Sequence, residues 1–294
     1  MKRTHDYKVV DVFTSRPLAG NPVAVVFDAD GLDAEAMQAI ASWTNLSETT
    51  FVLTPTTPAA DYRLRIFTPR SELPFAGHPT IGSAHAVLEA GRAVWGEGGR
   101  LVQQCNIGLV EVTVEEGAEG RELAFALPSS RITPLAAEDV AELERVVGGK
   151  LACEAAPAMV NVGPIWVILP MLDAAAVLDL TPDFARLAAF ERRLGVTGLC
   201  VFGRYPHGAE AAIEVRAFAP SCGVEEDPVC GSGNASVAAY QWAHGLLPAG
   251  GTAYVAAQGR RVGRDGRVKV HVGADGQVRV GGACVTCVDG RLAP

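Results

Sequence analysis

The chain has 294 residues, 49% hydrophobic and 20% charged, which is ordinary globular composition with ample core material. Its length accommodates one large domain or two of about 150 residues. A net charge of −8 and a pI near 5.3 argue against nucleic-acid or anionic-membrane partners, because both need a basic footprint. No apolar run reaches the roughly 18 residues of a membrane span. The start, MKRTHDYKVVDVF, has no apolar signal core before Asp11, so a cytoplasmic location is expected.

In chain order, GNPVAVVFDADGLDAEAMQAIASWTNLSETTFVL reads as strand, helix, strand. RIFTPRSELPFAGHPTIGSA leads through a Pro-marked turn into the small-residue helix GSAHAVLEAG, and QQCNIGLVEVTVEEG is strand-rich. LPSSRITPLAAED, residues 127–139, has turn residues and then a fresh helix start. VGPIWVILP to GLCVFG again reads strand, helix, strand, and GSGNASVAAYQWAHG is a second small-residue helix. GGACVTCVDG reads as a strand, so the lone CxxC of Cys284 and Cys287 is taken as buried strand thiols, with no metal site expected. The seven scattered cysteines, including Cys153, indicate reduced thiols and not a disulfide framework.

The chain repeats itself once. RIFTPRSELPFAGHPTIGSA and RAFAPSCGVEEDPVCGSGNA share the frame R-x-F-x-P, a loop, then [H/D]-P-x-x-G-S. His78 matches Asp227, Gly82 matches Gly231, and Ser83 matches Ser232. A shared core explains the apolar pattern but not the twin turns, since loops drift. Two similar α+β domains are therefore expected, residues 1–130 and 131–294, with the last strands able to return to the first half.

Each Gly-Ser turn is expected to open a helix whose free N–H groups and dipole attract a carboxylate. The alternative is an N-cap Ser on a tightly packed helix. Pseudo-symmetry would set His78 and Asp227 on opposite sides of one ligand in an interdomain cleft. His titrates nearest neutrality, and Asp does so if burial raises its pKa. Glu48, in NLSETTFVL, has no acidic counterpart near Thr197. A capping box of Asn45 with Glu48 is the competing reading, and the strand-like TTFVL that follows speaks against it. Cys230, ahead of Gly231, is either a small packing residue or a thiolate stabilised at a helix N-terminus.

VDVFTSRPLAGNPVAVV, NLSETTFVL, RIFTPRSELPFAGHPTIGSAHAV, EDPVCGSGNASVAAY and QGRRVGRDGRVKV together resemble the PhzF-like phenazine biosynthesis isomerases, over essentially the whole chain. The resemblance implies a diaminopimelate epimerase-like fold: two pseudo-symmetric halves, each a mixed sheet wrapped around a central helix, with the site between them. It implies a cofactor-independent isomerase of the trans-2,3-dihydro-3-hydroxyanthranilate type, with a small carboxylate-bearing substrate and a homodimeric state. Glu48 corresponds to the proton shuttle; His78 and Asp227 correspond to residues that hold the amine and hydroxyl groups and assist proton movement. Asn21, Gly77, Gly231 and Ser232 correspond to substrate-binding positions. One departure stands out. Cys230 and Gly233 replace the usual Thr and Ala, drifting toward the Cys-Gly-Thr-Gly turn of diaminopimelate epimerase. A one-thiol epimerase using Cys230, or a non-catalytic small-anion binder, are the competing functions.

Overall fold

The computed structural model describes residues 4–117, 120–127, 129–148, 151–152, 154–249 and 251–294; Cys153 lies outside them. Two compact units divide the chain, Met1–Phe125 with Gly281–Pro294, and Ala126–Val280. The sequence placed the division at residue 130 with the last strands able to return to the first half; the units part after Phe125, and Gly281–Pro294 belongs with the first unit.

The first unit contains β1 (His5–Val12), β2 (Asn21–Val26), β3 (Glu48–Leu53), β4 (Tyr62–Phe67), β5 (Glu72–Leu73), β6 (Arg100–Cys105), β7 (Gly108–Gly117) and β8 (Gly120–Ala126). β1 and β2 are antiparallel, β2 and β3 parallel, β3 and β4 antiparallel. β4 then pairs antiparallel with β5 and parallel with β6, and β6, β7 and β8 continue antiparallel. The parallel β2–β3 pair needs a crossover, which α1 (Ala34–Thr44) supplies. Asp33 caps α1 through Ala36 N at 2.8 Å, and Asn45 ends it in the left-handed region at φ 53°. Asn45 is thus a helix terminator, and the capping-box reading of Asn45 with Glu48 is excluded.

The second unit contains β9 (Arg131–Pro134), β10 (Ala158–Asn161), β11 (Ile165–Pro170), β12 (Gly198–Arg204), β13 (Ile213–Ala219), β14 (Val224–Asp227), β15 (Ala253–Gln258) and β16 (Gly266–Val272). Its ladder repeats the first: β10–β11 antiparallel, β11–β12 parallel, β12–β13 antiparallel, β13 antiparallel with β14 and parallel with β15, β15–β16 antiparallel. β9 pairs antiparallel with β10. The long last strand β17 (Val278–Leu292) pairs antiparallel with β1, standing to β1 as β9 stands to β10. Cys284 and Cys287 are β17 strand thiols as read, but half-buried and not buried as expected; desolvation still pushes both thiols up.

Each unit has one nearly engulfed helix. These are α2 (Gly77–Glu89) in the first and, after α3 (Ala137–Val147), α4 (Ala174–Leu178) and α5 (Phe184–Leu194), α6 (Gly231–Ala243) in the second. All but two of the thirteen residues of α2 are buried, on β1, β2, β3 and β6. Small residues make that approach possible: a Cβ on Gly82 would lie 2.4 Å from Val23, and one on Gly233 2.6 Å from Cys200. The outer faces are covered by amphipathic helices. Met37 and Ile40 of α1 meet Val26, Phe51 and Phe67, and Leu187 and Phe190 of α5 meet Val167 and Leu199. Each such side chain contributes roughly 1.5–3 kcal/mol on burial.

The repeated R-x-F-x-P has a structural explanation. Arg65 grips Glu72 with two hydrogen bonds of 2.7 Å and lies over the Phe67 ring. Arg216 grips Glu226 at 3.0 and 2.8 Å and lies over Phe218. The same fork ties β4 to β5 and β13 to β14. Each clamp fixes the short strand that precedes the central helix.

Candidate active site

In the first unit, β3 opens at Glu48, whose side chain is 16% exposed. His78 is the second residue of α2, with Nδ1 3.3 Å from Glu48 Oε2. The ring also bonds the Pro22 backbone, and its Nε2 is buried without a partner among the described residues. Burial pushes the His78 pKa down to about 3, with the Pro22 bond opposing the shift. His78 is therefore a neutral imidazole across the physiological range, and not the near-neutral titrating group its residue type suggests. Asn21 begins β2 and is fully buried; Val23 two residues on is in register with Glu48. Gly77 is the first residue of α2, buried where a Cβ would sit 2.8 Å from the Phe125 ring. Pro79 has no N–H to lose, so Pro in the first turn suits the helix. The structure thus brings Glu48 and His78 together, with Asn21 and Gly77 on the adjoining strand and helix ends.

One expectation for this unit fails. Gly82 and Ser83 do not open a helix, because α2 begins at Gly77. Ser83 is fully buried and shares a 2.8 Å hydrogen bond with Thr50 of β3. The first Gly-Ser pair is packing material; only the second stands at a helix N-terminus.

In the second unit, β14 ends at Asp227, and Pro228 and Val229 lead to Cys230, the N-cap of α6. Asp227 Oδ1 accepts from Val229 N at 3.1 Å, and the Cys230 thiol also bonds the carboxylate. Burial, with a smaller push from the Glu226 charge, raises Asp227 to about 6 against those two bonds. It is ionised at neutral pH yet close enough to exchange a proton there. Cys230 Sγ accepts from Gly233 N at 3.3 Å. Gly231 and Ser232 are the first two residues of α6, where amides have no intrahelical acceptor. Ser232 Oγ accepts from the Trp166 indole at 3.0 Å.

Two contributors went unread in the sequence. Fully buried Gln258 accepts from Cys230 N at 3.1 Å and Asn234 Nδ2 at 2.8 Å, and donates to the Asp227 carbonyl at 2.9 Å. It ties both ends of the Asp-Pro-Val-Cys turn to the helix. In the first unit Gln103 of β6 donates to Thr80 of α2 at 3.1 Å. Trp166 is the other unread contributor. Among the described residues no group of three His, Cys, Asp or Glu could hold a metal ion, and no helix is long and apolar enough to cross a membrane.

Two α+β units of matching topology place Glu48 beside His78 in the first and Asp227 just ahead of the start of α6 in the second. The model of the phenazine biosynthesis-like protein family, PhzC-PhzF, matches residues 10–290, and the chain belongs to that family. It is similar to antisense-enhancing sequence 1 of Schizosaccharomyces pombe, at 40% identity over 98% of both chains. It is also similar to trans-2,3-dihydro-3-hydroxyanthranilate isomerase of Pseudomonas aeruginosa, at 35% identity over 98% of this chain and 99% of that one. Among solved structures, the Bacillus anthracis phenazine biosynthesis protein of the PhzF family superposes with a TM-score of 0.86 at 24% identity, covering 99% of both chains. The protein is an isomerase of the PhzF type.

Proposed function

We propose that the protein moves a proton within a small carboxylate-bearing substrate of the trans-2,3-dihydro-3-hydroxyanthranilate type, without a cofactor, with Glu48 as the shuttle. Glu48 takes a proton from a carbon next to an unsaturated system, leaving the electron pair delocalised there. The same carboxyl returns the proton to another carbon, so composition is unchanged. Neutral His78 accepts or donates a hydrogen bond at Glu48 and at a polar substituent. Asp227 exchanges a proton or holds an amine, and the amides of Gly231 and Ser232 take the carboxylate. Asn21 and Gly77 line the substrate on the Glu48 side. Both half-sites act on one substrate in this reading, and a homodimer is part of it.

The observation that carries it is the lone carboxylate. The β12 residue in the register position of Glu48 is Gly198, paired with Trp166 as Glu48 is with Val23. A Cβ there would lie 2.1 Å from the Phe218 carbonyl and 2.6 Å from the Trp166 ring. A second base cannot be seated at that position, which supports one group both removing and returning the proton.

The test is incubation with trans-2,3-dihydro-3-hydroxyanthranilate followed by ultraviolet spectroscopy. Glu48→Gln is expected to lower kcat by about 10²–10⁴-fold with the fold intact; a Glu48→Gln enzyme with wild-type turnover overturns the assignment. Cys230, the N-cap of α6, is the residue on which the one-thiol alternative rests. Turnover lost on Cys230→Ala but kept on Glu48→Gln would select it.

A further inference from the structure

We propose that Trp166 is a positioning residue that turns the Ser232 hydroxyl into a hydrogen-bond donor for a substrate carboxylate. The proposal rests on the isomerase reading above. Trp166 lies in β11, is 3% exposed, and sends its indole N–H to Ser232 Oγ at 3.0 Å. An indole N–H only donates. Once the serine oxygen accepts it, the serine proton must point elsewhere.

The neighbour within reach is Cys230 Sγ at 3.6 Å, a weak acceptor. That sulfur already accepts from Gly233 N, and its own proton serves Asp227. The bonds therefore run one way, from Trp166 through Ser232 and Cys230 to Asp227. The Ser232 proton rests on the poorest acceptor of the series, so redirecting it to an anion costs little. Beside it stand the first two amides of α6, which also only donate. Three convergent donors suit a carboxylate and repel an ammonium group.

The placement of Trp166 depends on Gly198. The two residues are register partners, and a Cβ at 198 would strike the indole. In the first unit the corresponding partners are Val23 and Glu48, and Val23 has no donor. The Trp–Gly pair thus gives the second unit a carboxylate-orienting donor where the first unit has its base.

Anthranilate is the probe, with its affinity measured by calorimetry in wild type, Trp166→Phe, Trp166→His, Ser232→Ala and the Trp166→Phe/Ser232→Ala double variant, each checked for a cooperative thermal melt. Phe keeps the ring and loses the donor. His overlays the pyrrole half of Trp and keeps an N–H at the Nε1 position. Trp166→Phe is expected to weaken binding about 3- to 10-fold, the scale of one hydrogen bond, with the double variant no weaker than Ser232→Ala. His restores most of the loss. In turnover of the dihydro substrate, the Phe effect falls on KM more than on kcat. Equal affinity of wild type and Trp166→Phe, additive losses in the double variant, or a wild type that binds no anthranilate would each overturn the proposal. Trp166-dependent anthranilate binding without Glu48-dependent turnover would leave it standing and remove the isomerase reading instead.

Discussion

The two units share a ladder and differ in what they place on it. Both have an antiparallel pair, a parallel crossover, an Arg–Glu clamp and a buried helix. At the register position where the first unit carries Glu48, the second carries Gly198 under the indole of Trp166. Where the first has a neutral His inside the opening turn of α2, the second has Asp227 on the strand before α6. The duplicated scaffold is conserved where it bears load between strands and helix, and it diverges at the strand openings and helix starts. Chemistry is grafted at the points the core does not constrain.

The clamps offer the sharpest contrast in stability. The Arg216–Glu226 side chains are 5% and 7% exposed, against 19% and 27% for Arg65–Glu72. Arg216 also donates to the Val177 and Leu180 carbonyls at 3.1 and 2.7 Å. Arg216→Met would leave Glu226 buried and unpaired beside Asp227, at a cost of about 3–5 kcal/mol. Arg65→Met leaves a carboxylate that water can reach, and should cost about 1–2 kcal/mol. Urea unfolding midpoints check this. Equal losses would mean that the two clamps are energetically equivalent despite their different burial.

The next prediction tries to erase the asymmetry itself. Gly198→Ala adds the Cβ that Phe218 and Trp166 exclude, and should cost about 1–3 kcal/mol as the strand or the indole shifts. It should also weaken anthranilate binding, because a displaced indole loses Ser232. An Ala variant with wild-type stability would show that the position is open to side chains, and the case for a single base would lose its support.

Much of this contrast was readable beforehand, and the rest was hidden for physical reasons. The repeat showed in R-x-F-x-P because an Arg–Glu fork over a Phe ring needs those residue types in each copy. Glu48 was readable as the start of a strand because β-branched Thr49 and Thr50 follow it. The start of α2 was misread because Pro79 looks like a turn marker, whereas the first turn of a helix tolerates it. The capping box that the strand-like TTFVL spoke against is absent, because Asn45 closes α1 in the left-handed region. Trp166 and Gln258 were invisible because each acts at long range: Trp166 on a serine 66 residues away, and Gln258 on a turn 28 and 31 residues away. No local spacing encodes such partners.

The smallest effect separates the units by the sign of their pH dependence. His78 would titrate near 6.5 in the unfolded chain and near 3 in the fold. Between those values the unfolded chain binds more protons, so the His78 contribution to stability is lost as pH falls from about 6.5. Asp227 is opposite. It titrates near 3.9 unfolded and about 6 folded, so the fold holds that proton more tightly. Its contribution is fully present below about pH 4 and is lost as pH rises through 6, above which the fold carries a poorly solvated carboxylate. Asp227→Asn can still accept from Val229 N and should stabilise the protein by about 1–2 kcal/mol at pH 7.5, discounted because the residue is only half-buried. The gain should vanish near pH 4, and turnover should be lost throughout. His78→Gln should instead flatten the acid side of the stability curve and leave the alkaline side alone. Thermal melts of both variants from pH 4 to 8 decide it: a Asp227→Asn protein that is less stable at pH 7.5 would mean that the carboxylate is held by bonds that outweigh its burial, and the opposed pH signatures of the two half-sites would collapse into one.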